Sequence, residues 1–398
     1  MILYSPIPSQ RLTRHALASI GIALCLLLTL HVTAAPGAPV LPPLGAPLLG
    51  ADTAGQDRIL LYDVSGGITR ALRFDRTWVR FWGFSADGCR VLYTLRDGVN
   101  AGRVFSARLD GSDRRPLAQY AGAEAWGTWE PSWSPAAPRI AFTFIRRRAG
   151  GDAPFTHHLG VIDADGGAVS VYSVAGDEHT PRWSPDGRWI VYASYDQRAA
   201  GANPMATAAP GRGGALLREA DLWVVSADGR DKYRLTDFPT GNVTMPRWSP
   251  DGDLLAFVYS PSPNVDTAWI VGMSPGSIPT QITYGGALIL DLGWTPDGAH
   301  LVVTARGLAG VAENRAWRVD LTGGADARAE QLIPDPALAY HDYPRYSADG
   351  SLLALRAEYG LALVETASGA WRWLERDHLG NTPPVWSPAA FTGETGCG

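Results

Sequence analysis

A short motif, an aromatic residue followed by Ser-Pro-Asp-Gly or a close variant, returns seven times and narrows the folds open to this chain. It reads Phe84-Ser85-Ala86-Asp87-Gly88, Trp133-Ser134-Pro135-Ala136-Ala137, Trp183-Ser184-Pro185-Asp186-Gly187 and Trp248-Ser249-Pro250-Asp251-Gly252. It continues as Trp294-Thr295-Pro296-Asp297-Gly298, Tyr346-Ser347-Ala348-Asp349-Gly350 and Trp386-Ser387-Pro388-Ala389-Ala390. Successive aromatic residues are 49, 50, 65, 46, 52 and 40 positions apart. A period of roughly 40–50 residues is the length of one propeller blade. The expected fold is all-β: a seven-bladed β-propeller of four-stranded blades, with a six-bladed ring as the alternative.

Residues 181–236 show the physics of one repeat. Pro181-Arg182-Trp183 is a short strand. In the turn that follows, Pro presets φ, Asp bonds its own backbone and Gly takes positive φ. Trp189–Tyr192 and Leu222–Val225 are apolar strands, and Tyr233–Thr236 is a more polar outer strand. Helical 3.6 periodicity is absent. The seventh repeat stops soon after Trp386, but Ile59–Val64 and Ile68–Phe74 have the form of a third and a fourth strand. Pairing of Val385-Trp386 with N-terminal strands would close the ring and remove its open edges.

The expected organisation is a signal peptide or N-terminal anchor at 1–35, a Pro/Ala-rich spacer at 36–49 and the propeller at 50–398. Arg11, Arg14 and His15 precede an uncharged apolar run, Ala16–Leu30, and Val32-Thr33-Ala34 offers a cleavage site. Export to the periplasm or beyond is expected, and an uncleaved segment 16–32 would anchor the chain outside the cytoplasmic membrane. The net charge is −5, or −7 without the two signal arginines. No basic excess points to nucleic acid. The one lysine, Lys232, follows no Gly-rich run, which excludes a P-loop. A monomer without cofactor is expected.

The Pro-x-Trp-Ser-Pro-Asp-Gly-x-x-Ile-x-Tyr pattern, clearest at Pro181–Tyr192 and Pro246–Phe257, resembles the WD40-like repeats of TolB-type β-propellers. The resemblance covers nearly all of 50–398. It implies the fold and leaves function open, since the family holds interaction proteins, peptidase propeller domains and a few glycan-cleaving enzymes. The α/β domain that TolB carries ahead of its blades, and the hydrolase domain that follows peptidase propellers, have no expected counterpart here. One Gly-x-Ser-x-Gly match, Gly272–Gly276, sits where a hairpin turn belongs. Pro275 after the serine lacks the N–H that an oxyanion hole would use.

Candidate binding residues lie in loops expected to ring one face: Arg146, Arg147, Arg148, His157, His158, Glu178, His179, Asp291, His341, Asp342 and His378. The leading reading is a non-catalytic module binding a protein, peptide or glycan there. One alternative is a metal-assisted glycan lyase or hydrolase using His179, His341 and His378 with Glu178 and Asp342. Another is a membrane-anchored envelope scaffold. No catalytic or metal-ligand motif stands in the sequence itself, and Asp163-Ala164-Asp165-Gly166 reads as a hairpin turn rather than a calcium loop. The segment from Asp196 to Glu219 reads as a mobile loop. Ring closure would bring Cys89 and Cys397 within the roughly 4.4–6.8 Å Cα separation of a disulfide; two unrelated thiols are the alternative.

Overall fold

The computed structural model describes residues 47–388 apart from internal segments, of which 118–124, 148–154, 196–219 and 322–328 are the longest. Three strands open the chain: β1 (Leu48–Asp52), β2 (Arg58–Asp63) and β3 (Gly67–Arg73). The next meander comprises β4 (Trp78–Phe84), β5 (Arg90–Arg96), β6 (Arg103–Arg108) and β7 (Arg115–Pro116). Then come β8 (Ala125–Trp133), β9 (Arg139–Arg147), β10 (Phe155–Asp163) and β11 (Ser170–Val171). β12 (Glu178–Trp183), β13 (Trp189–Tyr195), β14 (Ala220–Ser226) and β15 (Lys232–Arg234) follow. So do β16 (Asn242–Trp248), β17 (Leu254–Ser262), β18 (Val265–Gly272) and β19 (Thr280–Gln281). Two further meanders are β20–β23 (Leu288–Trp294, His300–Arg306, Arg315–Asp320, Ala329–Gln331) and β24–β27 (His341–Tyr346, Leu352–Ala357, Gly360–Glu365, Trp371–Glu375). β28 (Val385–Trp386) ends the described chain.

These strands form an all-β propeller of four-stranded antiparallel blades. Five sheets are separate four-stranded units, and one is eight-stranded. The larger sheet arises because a single parallel bridge, Ala220 to Asn242, joins the β12–β15 meander to the β16–β19 meander. The hydrogen-bonded sheets therefore do not separate into seven. The first strand of each meander touches the next around an axis: β4 to β8, β12, β16, β20, β24 and β28, and β28 returns to β4.

The two chain ends close the ring. β28 pairs with β1 through Leu49–Trp386 and Gly50–Val385, and Leu48 and Ser387 exchange two hydrogen bonds of 2.8 Å. The closing partner was missed in sequence: β1 starts at Leu48, so the last residues of the proposed spacer belong to the sheet. Gly50 is required there, because a Cβ would collide with the Phe81 ring. Buried Asp52 ties three segments together, accepting bonds from the Phe81 amide (3.1 Å) and the Thr382 hydroxyl (2.5 Å).

The repeat aromatics hold blade to blade. The indole N–H of Trp183 donates to the Ser132 carbonyl, Trp248 to Arg182, Trp294 to Arg247 and Trp386 to Arg345, at 2.8–3.1 Å. Each acceptor immediately precedes the aromatic residue of an earlier repeat, so one motif position repeatedly bolts one inner strand to another. The turn chemistry repeats as well: Ser184 Oγ donates to Asp186 (2.6 Å), the Gly187 amide to the Ser184 carbonyl (2.9 Å), and Gly187 has φ +69°. The core lies between blades. Leu48, Ile59, Leu61 and Leu72 of the first sheet pack with Val79, Phe81, Val91 and Tyr93 of the next. Each such side chain contributes about 1.5–3 kcal/mol on burial.

Gly272–Gly276 forms a hairpin turn, with the Ser277 amide on the Ser274 carbonyl, and no helix follows before β19. Asp163–Gly166 is also a hairpin turn. Cys89 is disulfide-bonded. Cys397 and the 196–219 loop lie outside the described residues. No described helix is long and apolar enough to cross a membrane.

Candidate functional site

Two polar arrangements stand out. The first joins neighbouring blades where β10 begins and β12 enters the ring. His157 Nδ1 and His179 Nε2 both meet the same carboxylate oxygen, Asp177 Oδ1, at 2.7 and 3.1 Å. The two imidazole centroids are 4.3 Å apart, and Tyr195 stands edge-on to His179 at 5.1 Å. The Tyr195 amide donates to the Asp177 carbonyl at 3.2 Å, which fixes the chain entering β12. The side chains of His157, Asp177 and His179 are 24%, 15% and 26% exposed, so solvent reaches all three. Burial alone would raise the Asp177 pKa, but the hydrogen bonds from both imidazoles hold it far below the usual carboxylate range. Among the described residues, this is the group of His, Cys and acidic side chains whose donor atoms converge, all within 4.8 Å of one another.

The second arrangement lies along the inner strands. Arg80 on β4, Glu130 on β8, Arg182 on β12, Arg247 on β16, Asp291 on β20 and Arg345 on β24 form a ring of charges that act on one another. Four cations face two anions. Asp291 is buried and accepts from Arg345 Nη1 (2.5 Å) and Nη2 (3.1 Å), and from Arg247 Nη2 (3.5 Å). Arg247 also reaches the Leu292 carbonyl at 3.0 Å, and burial lowers its pKa to about 10. Arg182 differs. Its Nη1 donates to the Pro181 carbonyl at 2.7 Å, and no carboxylate lies in ion-pair range among the described residues. Burial lowers its pKa, with Glu130 opposing and Arg345 and Arg80 reinforcing the effect.

A strained backbone sets these arginines in place. Thr180, Met245 and Tyr343 have φ of 53°, 53° and 54°, and each precedes a Pro-Arg pair. The register of the inner strand shifts at all three points. Glu130 repeats the device with φ 50°, ahead of Pro131. A bulge inserts one unpaired residue and re-aims the side chains beyond it. Non-glycine residues held at positive φ cost of order 1–3 kcal/mol each and cluster at functional sites.

On the opposite face a concavity of about 600 Å³ lies between the Thr295–Asp297 and Ala348–Gly350 turns. Its Arg318 is already paired with Glu330, and its His300 with Asp320. Among the described residues, Arg182 on the inner strands contrasts with these pairs, with no carboxylate in ion-pair range.

Known proteins agree on the architecture. The chain is 26% identical over 225 residues to the uncharacterised protein Atu1656 of Agrobacterium fabrum, covering 54% of this chain and 66% of that one. It is 28% identical over 133 residues to YuxL, an uncharacterised peptidase of Bacillus subtilis, covering 33% and 17% respectively. It thus spans less than two thirds of the length of either relative. No family model matches the chain. An oligogalacturonate lyase in complex with manganese has TM-score 0.58 and 15% identity, over 83% of this chain and 85% of that one. A puromycin-hydrolyzing peptidase of Mycobacterium tuberculosis has TM-score 0.57 and 14% identity, over 84% and 53%. TolB of Acinetobacter baumannii has TM-score 0.47 and 18% identity, over 85% and 81%. The recurring Pro-x-aromatic-Ser-Pro-Asp-Gly turn stands on a ring of four-stranded blades. The chain folds as a β-propeller.

Within this propeller the expected site residues scatter into different roles. His157 and His179 come together, but through Asp177, which the sequence reading passed over. A lone Asp ahead of Glu178-His179 carries no spacing signal; only the packing of two blades brings His157 to it. His158 turns to Thr156 Oγ1 (2.7 Å), and burial lowers its pKa. Glu178 is buried at the start of β12. Arg146 is exposed, whereas Arg148, His378 and the side chain of Arg147 lie outside the described residues. Asp342 accepts from Arg356 (2.6 Å) and Asn314 (3.2 Å) and serves packing.

His341 is a correction to the expected cluster of His179, His341 and His378. It is 1% exposed, and its Nδ1 accepts the Ala316 amide at 3.0 Å, tying β24 to β22. Burial pushes its pKa down to about 4. The unfolded value is about 6.5. The neutral form is favoured in the fold, so this contribution is complete above pH 6.5 and is lost as pH falls towards 4. It amounts to about 3 kcal/mol. Urea unfolding at pH 7 and pH 4.5 should therefore show a smaller acid loss in His341→Asn than in the wild type. Equal losses would refute this assignment.

Proposed function

We propose that this chain is an exported propeller that binds an anionic, carboxylate-bearing ligand at its ring of inner strands, without transforming it. The observation that carries the reading is Arg182: a partly buried guanidinium, beside other arginines, with no carboxylate in ion-pair range among the described residues. A desolvated cation without a counter-ion is costly. A ligand carboxylate would relieve that cost through charge-assisted, bidentate hydrogen bonds. Arg247 and Arg345 occupy the same repeat position in other blades and would flank it.

The ring is read as seven-bladed, counting the eight-stranded sheet as two blades bridged at Ala220–Asn242. Export rests on the apolar run Ala16–Leu30 and its cleavage signature. The ligand is read as an acidic glycan, which suits an exported chain and is consistent with the likeness of fold to oligogalacturonate lyase.

Oligogalacturonate titrated into the purified protein at low salt, followed by calorimetry, tests this. Binding should weaken with added salt. Arg182→Gln should weaken it by about 10-fold or more, the worth of one charged hydrogen bond. Wild-type protein that takes up no oligogalacturonate, or an Arg182→Gln variant that binds as well, would sink the reading. An unsaturated sugar product accumulating in the same mixture would favour the lyase alternative.

A further inference from the structure

We infer that His157, Asp177 and His179 form a divalent transition-metal site at the junction of two blades, with zinc the ion it fits best. The inference goes beyond the anionic-ligand reading and uses none of the residues that reading rests on.

The donor set comes first. Two imidazole nitrogens and one carboxylate oxygen suit zinc and similar borderline ions, whereas calcium and magnesium prefer oxygen alone. Geometry comes second. Ligand bonds of about 2.0–2.2 Å around one ion place neighbouring donor atoms roughly 3–3.5 Å apart. Here Asp177 Oδ1 stands 2.7 and 3.1 Å from the two nitrogens, and no pair of the three atoms exceeds 4.8 Å. Small rotations of these partly exposed side chains would suffice, without moving the backbone.

The third point is how the carboxylate is used. Both histidines direct a ring nitrogen at the same oxygen, one through Nδ1 and the other through Nε2. Two N–H protons converge where a single cation would sit. Binding would displace the protons that face Asp177, each ring keeping its one remaining proton on the nitrogen turned away from the ion, so that two neutral imidazoles and an ionised Asp177 act as ligands.

The surroundings fit the same assignment. Tyr195 packs on the His179 ring and, through its amide, fixes the Asp177 backbone, so two of the three ligands are oriented before the ion arrives. His157 is supplied by β10 of the neighbouring blade. The site therefore exists only when the two blades are packed together, and metal should bind the folded ring and not the unfolded chain. Three protein ligands with partial exposure leave coordination positions open to water or to a ligand oxygen.

The test uses the intact exported chain, stripped with a chelator and dialysed. Zinc titrated by calorimetry should bind with one-to-one stoichiometry, and cobalt(II) should give visible absorption typical of a four- or five-coordinate ion. His179→Ala and Asp177→Asn should each weaken zinc binding at least about 100-fold, because each removes a direct ligand. His300→Ala, on the far face, should leave it unchanged. To separate lost ligation from poorer packing, melting is read alongside: zinc should raise the melting temperature of the wild type and of His300→Ala, and of neither ligand variant. Wild-type protein that binds no zinc, or zinc binding that survives both ligand substitutions, would overturn the site.

Discussion

A chain ending at residue 383 should aggregate or unfold at least about 10 °C below the full-length protein. Residues Val385 and Trp386 are two of the shortest-strand residues in the fold, yet they close it. Val385 packs into the apolar cluster shared by the first sheet and β4–β6, and Trp386 into the one shared with β24–β27. The Trp386 indole is also the bolt to the Arg345 carbonyl, and Ser387 holds Leu48 from both sides. Their removal would leave β1 as an open edge and separate it from β4 and β24. An exposed edge is a template for pairing with another chain. Size-exclusion chromatography with thermal melting checks this. A truncated chain that stays monomeric and melts with the full-length protein would show that β28 is not the closure. Trp386→Ala isolates the bolt and should cost about 2–4 kcal/mol.

Asp291→Asn should be the most damaging single substitution among the inner-strand charges. The Asp291 carboxylate is 3% exposed and serves Arg345 through two bonds and Arg247 through a third. Removing its charge leaves two partly buried guanidiniums beside Arg182 with Glu130 as the remaining acid of the ring. Breaking a buried pair from one side costs about 3–5 kcal/mol. At roughly 2–4 °C per kcal/mol, the melting temperature should fall by about 10 °C. The double variant Asp291→Asn/Arg345→Met should recover part of that loss, because the stranded cation goes with its partner. A single variant that melts within about 1 °C of the wild type would show that the arginines are hydrated well enough to stand alone.

The propeller could be read from the chain because its determinants are local. Ser184-Pro185-Asp186-Gly187 encodes its own turn: the hydroxyl, the carboxylate and the positive φ all act within a few residues. Repetition then multiplies a weak signal into a strong one. The closing role of Val385-Trp386 was legible for the same reason, since the seventh motif copy lacked the strands that Ile59–Val64 and Ile68–Phe74 supplied. β1 was not, because Leu48–Asp52 follows a Pro-rich stretch and has no motif of its own; its five buried residues become a strand only between β2 and β28.

The site divided along the same line. His157 and His179 were named from their loops, but nothing in their spacing joins them, and Asp177 was passed over. Their meeting depends on how the β8–β11 blade packs against β12. Arg182, Arg247 and Arg345 stand in plain view just ahead of the turn, where the sequence reads as a short strand with a variable position, and nothing local singles them out. That they share one ring with Asp291 follows from the circle of inner strands. The bulges at Thr180, Met245 and Tyr343 are invisible in residue types that ordinarily avoid positive φ. The sequence by itself determined the blade, because a turn and a strand are decided by neighbours along the chain. Only the tertiary structure decided which charges lack partners and which histidines share an oxygen, because those depend on residues about 20 to 160 positions apart brought together by closing the ring.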